Sequence, residues 1–293
     1  MSVPAAYFSI ILIWSTTPLA IQWSNSGEGF LFPVMARMVI GLILCLALLA
    51  VMRVRMPWHA AARKTYLAAG SGILGTMLCV YWGAQYISSG MIALLFALSP
   101  LFTSLAAKWW LGNEHITATK LVGILLGLLG LAAIFSSGLT LGAHAANGIA
   151  VVLIAVILQS FSLVWVKRIG ASIPAMAVTS GALMLVAPAL LLLWKIFDGS
   201  MPHALNVRAL WSIVYLGIFG SVLAFSFYFY VIKRMQAGQI ALITLITPVS
   251  ALWLGHVLNQ EVIQQGLWAG TACVLLGLLM HQWETLRNIK YIN

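Results

Sequence analysis

The sequence predicts an all-α, polytopic membrane protein of ten transmembrane helices, built as two five-helix repeats inverted with respect to each other. Three observations lead there. Hydrophobic residues make up 62% of the 293-residue chain and charged residues only 7%, with a mean hydropathy of +1.04. A soluble domain carries about 25% charged residues, so too few charges exist to wet a globule of this size. The apolar residues fall into ten runs near the roughly 20 residues that a bilayer-crossing helix needs. The last two runs of each half share their punctuation at a nearly constant offset.

The spans follow in order. The first, 4–24, has no basic segment before it and continues into a multi-span chain, so it reads as a retained helix and not as a cleaved signal peptide. Span two, 31–52, carries Arg37 and stops before Arg53 and Arg55. Span three, 66–86, follows Arg63 and Lys64. Span four, 89–110, opens at Gly90, contains Ser99-Pro100 and closes at Gly112-Asn113. Span five, 118–137, follows Glu114 and is studded with Gly123, Gly127 and Gly130. Span six, 147–167, ends on Lys167-Arg168; span seven, 174–196, starts at Pro174 and ends on Lys195. Span eight, 208–232, runs from Arg208 to Lys233-Arg234. Span nine, 238–258, runs from Gly238 through Thr247-Pro248 to Asn259. Span ten, 263–284, follows Glu261 and leaves a short tail. Gly, Asn, Pro and charges punctuate the short connections, and no soluble domain is inserted.

The repeat is read from matched residues. Gly90 answers Gly238 and Ser99-Pro100 answers Thr247-Pro248, 148 positions apart; Glu114 answers Glu261, Gly123 answers Gly270 and Gly130 answers Gly277, 147 apart. Over the earlier spans the likeness is faint: Pro33-Val34-Met35-Ala36 resembles Pro174-Ala175-Met176-Ala177, and Trp14-Ser15 corresponds to Gln159-Ser160. The repeats are expected at 1–140 and 141–293. Five is odd, so the second copy enters the bilayer from the opposite side. Charge agrees: the gaps after spans one and three carry no Lys or Arg, whereas their counterparts carry Lys167-Arg168 and Lys233-Arg234. With the N-terminus inside, twelve Lys and Arg lie on the cytoplasmic side and only Lys195 and Arg208 on the other. Cytoplasmic loops hold the excess of basic residues, so both termini are expected in the cytoplasm of a bacterial inner-membrane protein. The net charge of +10 therefore belongs to loops and does not mark a nucleic-acid surface. Cys45, Cys79 and Cys273 all sit in apolar runs, which argues against a disulfide framework.

The run from Gly90 through Pro100, then Gly112-Asn113-Glu114, then the glycine-rich stretch Gly123–Gly130, resembles the EamA-type module of the drug/metabolite transporter superfamily. A second copy runs from Gly238 through Pro248 and Glu261 to Gly277. The resemblance covers the whole chain and is closest to the YddG-type exporters of aromatic and other neutral amino acids. It implies ten helices, cytoplasmic termini and a central cavity lined mainly by spans 1, 3, 4, 6, 8 and 9.

Acids are so few that each is informative. Glu114 and Glu261 lie at span junctions; they serve either proton coupling or, as their placement favours, capping of the following helix, where a carboxylate meets unpaired N–H groups and the positive dipole end. Glu28, Asp198 and Glu284 lie in outer gaps or the tail. No acid lies within a span, whereas a proton-coupled cation exporter needs a carboxylate in its pathway; the small multidrug branch of the superfamily carries one in its first span, where this chain reads Trp14-Ser15-Thr16-Thr17-Pro18. Arg37 is the single charge well inside a span. It either clamps a substrate carboxylate or snorkels outward and pairs with Glu28.

The candidate substrate-binding residues are mild: Trp14 and Ser15 of span one, Tyr81 and Trp82 of span three, Ser99 of span four, Gln159, Ser160 and Trp165 of span six, Tyr228 and Tyr230 of span eight, and Thr244 and Thr247 of span nine. Hydroxyls also bond back to their own helix and pack helices, and aromatics also serve as lipid-facing bulk, so each has a structural alternative. Pro18, Pro100 and Pro248 each free a carbonyl one turn earlier, tolerated where a cavity supplies partners; Pro100 and Pro248 are expected to form paired bends at the gates. No His, Cys or acid cluster has metal-ligand spacing, and no nucleophile–base pair or phosphate loop is recognisable, so neither catalysis nor a cofactor is expected. The reading is a secondary exporter of small neutral metabolites, amino acids including aromatic ones, working by alternating access without strong proton coupling. Its partners are a small neutral or zwitterionic substrate and the lipid bilayer, not nucleic acid, and a monomer is the default. The alternatives are a multidrug or quaternary-ammonium exporter, a lipid-modifying membrane enzyme, and a channel.

Overall fold

A computed structural model describes residues 2–25, 29–112, 117–140, 143–170, 172–199, 201–202, 205–224, 227, 231, 234–235, 237–261 and 265–287. Among the described residues every regular element is helical. They are α1 (Val3–Ser24), α2 (Leu31–Val51), α3 (Ala60–Gly83), α4 (Ser89–Phe96), α5 (Ser99–Leu111), α6 (Ala118–Thr140), α7 (Ala143–Ile169), α8 (Ala175–Phe197) and α9 (Val207–Tyr215). A π-helical segment (Leu216–Leu223) continues α9, and α10 (Ala237–Asn259), α11 (Gln265–His281) and the short α12 (Trp283–Arg287) follow. Counted as spans these are ten: α4 with α5 forms the fourth, and α9 with the π segment belongs to the eighth. Six spans are each long and apolar enough to cross a bilayer alone.

Local chemistry sets the helix starts. Ser2, His59, Ser88 and Asn206 each accept a hydrogen bond from a backbone N–H three residues on, which satisfies a donor that the first turn leaves orphaned. The His59 cap starts α3 six residues before the apolar run, so span three begins earlier than hydropathy indicates. Span four is interrupted where expected. Pro100 opens α5, and the chain before it tightens into three-residue turns, with Leu98 N–H on the Leu95 carbonyl and Leu101 N–H on that of Leu98. At the matching position α10 runs unbroken through Pro248. The paired bends are therefore unequal: a proline removes one donor in both helices, but only span four opens a turn around it.

The packing shows the inversion directly. Fifth-position helices α6 and α11 lie against each other. A Cβ built on Gly123 would stand 2.6 Å from the Gly277 carbonyl oxygen, and one on Gly277 would stand 2.7 Å from that of Gly123. Gly130 and Gly270 approach in the same way, at 2.8 and 3.0 Å. Early residues of one helix thus meet late residues of its counterpart, so equivalent helices run antiparallel. That requires a pseudo-two-fold axis in the membrane plane, the geometry of inverted-repeat transporters. Small residues are needed because only they let two backbones come so close. The other neighbours obey the same exchange: α3 packs on α7 as α1 packs on α9, α3 on α8 as α2 on the π segment, and α5 on α7 as α1 on α10. Self-equivalent pairs α2–α8 and α4–α10 straddle the axis.

Candidate functional site

Three polar or aromatic clusters lie where the two halves meet. At one face, the Gln22 face, the ends of α1 and α10 close over the start of α4. Glu261 Oε1 accepts from the Ser89 backbone N–H (3.1 Å), the Ser89 hydroxyl (2.7 Å) and Asn259 Nδ2 (3.1 Å), while Oε2 accepts from the Gly90 N–H (3.2 Å). Gln22 Oε1 accepts from the same Ser89 N–H and from Asn259, and its Nε2 donates to the Ile87 carbonyl. Trp23 Nε1 donates to Asn259 Oδ1 at 3.0 Å, and its ring lies under Arg208, 5.2 Å away. Glu261 is thus a cap, while the residues that follow it, 262–264, lie outside the described ones. It caps α4 of the opposite half. The chain turns back at Gln260, which has φ +52°, the Glu261 N–H bonds the Gly255 carbonyl, and Gly255 leaves room beside the carboxylate. Its counterpart Glu114 and the proposed Arg37 partner Glu28 lie outside the described residues.

About two turns in from the start of α2, Arg37 is 4% exposed, so it neither snorkels nor stands in water. Its Nε donates to Ser221 Oγ (3.1 Å), and Nη1 reaches Tyr81 Oη (3.5 Å) and Met77 Sδ (3.9 Å). Ser221 donates to the Leu216 carbonyl five residues back, a bond that the wide π turn provides. Among the described residues no carboxylate pairs with Arg37. A charged side chain inside a membrane helix is costly, and neutral partners return only part of that cost. Nearby, Thr16 of α1 and Tyr215 of α9 share a 2.6 Å hydrogen bond between their hydroxyls, and Tyr215 stacks on Phe219 with centroids 5.1 Å apart.

At the opposite face, α5 and α7 meet through rings. Trp110 lies 6.1 Å from Trp165 and 6.3 Å from Phe161, and Arg168 sits 5.4 Å over Trp110. Deeper in, the Ser160 hydroxyl donates to the Ser99 carbonyl at 3.3 Å, beside the break in span four.

The candidate residues divide accordingly. Tyr81 joins the Arg37 cluster, fully buried. Ser99 and Ser160 touch across the two halves. Ser15 is buried, and its hydroxyl has no hydrogen-bond partner among the described residues. It lines a groove of about 810 Å³ between α1 and α10, together with Phe8, Leu12, Val249, Ser250 and Trp253. Phe8, Leu12 and Trp253 are each more than 60% exposed, so this groove opens sideways to lipid. Trp14 is half-buried against Ala6, Ile10, Val231 and Ile243, near buried Pro18. Gln159 and Thr247 are half-buried, and Thr244 accepts from Gln282 of the tail at 3.0 Å. Trp82 turns away from Tyr81 and joins a row with Tyr86 and His144; Trp165 is 39% exposed. Tyr228 and Tyr230 lie outside the described residues. Ser221, Tyr215 and the Gln22–Asn259–Glu261 contacts were not among the expected site residues. The Gly220-Ser221 pair inside span eight is the one sequence signal that could have found the first.

Comparison with known proteins gives a family and a fold. The model of the EamA-like transporter family matches residues 4–136 and again 146–281. An uncharacterized transporter, YoaV of Bacillus subtilis, is 25% identical over 96% of this chain and 96% of its own length. The uncharacterized inner membrane transporter YedA of Escherichia coli K12 is 27% identical over 94% and 89% respectively. A probable terminal-alkyne amino-acid exporter of Streptantibioticus cattleyicolor is 26% identical over 84% of each chain. A solved crystal structure shares the fold at a TM-score of 0.66 and 22% identity, covering 98% of both chains.

Proposed function

The chain belongs to the EamA-like transporter family, and from that premise we propose that it exports small neutral or zwitterionic metabolites, amino acids including aromatic ones, across a bacterial inner membrane. The observation that carries this reading is the charge of the interior. Of five acidic residues, none falls in the interior of a span, and Glu261 is engaged at a helix terminus. A pathway without an interior carboxylate offers an organic cation no counter-charge and a proton no relay, so transport is facilitative. The relative described as a probable amino-acid exporter supports the substrate class.

The halves, residues 1–140 and 141–293, rock about the midplane site as inverted repeats do. The basic loops put both termini in the cytoplasm. The Gln22 face is then the outer gate, closed here by contacts among spans one, four and nine, and the Trp110 face is the inner one. Candidates along the path are Trp14, Ser15, Ser99, Gln159, Ser160 and Thr247, with the break at Pro100 as a gate hinge. The test is efflux from proteoliposomes preloaded with phenylalanine, threonine or methionine. Release of at least one above protein-free vesicles is expected; failure of all three sinks the substrate class. Strong uphill accumulation driven by an imposed pH gradient would overturn the facilitative mechanism.

A further inference from the structure

We propose that Arg37, held by Ser221 and Tyr81, is the subsite that reads the carboxylate of the transported molecule; this rests on the transport reading above. The guanidinium is one of the few charged groups the fold buries, and the described residues give it no anion. Its hydrogen bonds go to neutral groups that orient it without neutralising it: Ser221 Oγ on Nε, and Tyr81 Oη and Met77 Sδ at long range on Nη1. Nη2 finds no hydrogen-bond partner among the described residues. Gly220 stands next to it, where a Cβ would come within 3.2 Å, so a side chain at that position would crowd this edge of the fork. A planar guanidinium with a free edge matches a carboxylate through two parallel N–H···O bonds.

The backbone around it is specialised. π-helical turns are rare and concentrate at functional sites. This one spans Leu216–Leu223 and lets Ser221 bond five residues back while accepting from Arg37. Arg37, Tyr81 and Ser221 come from spans two, three and eight. Spans two and three belong to one repeat and span eight to the other, so rocking of the halves changes the grip. An anion that binds there in one state and loosens in the other would be carried across.

The experiment compares phenylalanine with phenylalaninamide, which keeps the ring and amino group but lacks the anion, in purified full-length protein and in proteoliposomes. Wild type is expected to favour phenylalanine by roughly 10- to 100-fold in binding, as for a charge-assisted hydrogen bond pair. Arg37→Gln should bring that preference close to unity, and Arg37→Lys should keep part of it. Ser221→Ala should reduce it less. A purely structural Arg37 would lower both ligands together and leave the ratio unchanged, which would overturn the proposal. If Arg37→Gln fails to fold, the wild-type ratio alone decides, because equal binding of acid and amide also overturns it. Competition by 3-phenylpropanoate separates the two readings. If no amino acid moves yet this anion binds and loses binding in Arg37→Lys or Ser221→Ala, the substrate class falls and the carboxylate subsite stands. If amino acids move without regard to their carboxylate, the subsite falls and the exporter stands.

Discussion

Glu261→Gln should open the Gln22 face. The wild-type carboxylate receives four hydrogen bonds, from Ser89 N–H, Ser89 Oγ, Gly90 N–H and Asn259 Nδ2, at 2.7–3.2 Å. Glutamine is nearly isosteric but has one acceptor oxygen. Whichever way its amide turns, an NH₂ group faces a backbone N–H of α4. Leaving a partly buried donor unmet costs about 1–3 kcal/mol, and losing a carboxylate at a helix N-terminus costs about 0.3–1 kcal/mol more. The closed state should lose about 3 kcal/mol in all, a shift of roughly 100-fold in the closed-to-open ratio. Spin labels at Gln85 and Leu258, both exposed, report the α4–α10 separation by pulsed electron resonance in lipid. Wild type should give one short distance, and Glu261→Gln should add a longer population or replace the short one. An unchanged distribution would refute the idea that this carboxylate holds the gate, and would leave it a static cap.

Other outcomes follow from the same geometry. Gly123→Val should lower the melting temperature markedly, since even its Cβ stands 2.6 Å from a backbone carbonyl that cannot retreat; overpacking of this kind costs about 1–3 kcal/mol, and unchanged melting would contradict the reciprocal glycine contact. Tyr215→Phe removes the partner of the Thr16 hydroxyl and should cost about 1 kcal/mol, less than Thr16→Val, because Thr16 also bonds back to Leu12 and Ile13. A cysteine at His59 should be labelled by an impermeant reagent only from the cytoplasmic side, and one at Met201 only from outside; the reverse pattern would overturn the orientation read from the basic loops.

The ten spans and their inversion were legible because each rests on a one-dimensional signal. Hydropathy marks a bilayer crossing wherever its neighbours lie, and glycines that must touch their own repeat partners recur at a fixed offset. The site was less legible because its contacts obey no period. Glu261 bonds Ser89 and Gly90, 172 and 171 positions away, so the sequence could show a capping carboxylate without showing which helix it caps. Arg37 stood out as the interior charge, but its partner Ser221 depends on a π turn, and one extra residue per turn leaves an apolar run unaltered. Adjacent aromatics show the same limit: Tyr81 faces the core and Trp82 a peripheral ring row, since neighbours on a helix point about 100° apart. Pro100 and Pro248 occupy equal places in the repeat, yet only the first breaks its helix.

Entrance counterflow tests the central claim most directly. Proteoliposomes are loaded with millimolar unlabelled phenylalanine and diluted into trace labelled phenylalanine at equal pH on both sides. A carrier that exposes one site without a carboxylate in its wall to each face in turn must show a transient overshoot, with labelled substrate rising inside above its external concentration and then decaying. Simple equilibration without overshoot would mark a channel, and no entry above empty vesicles would mean that amino acids are not what this protein moves.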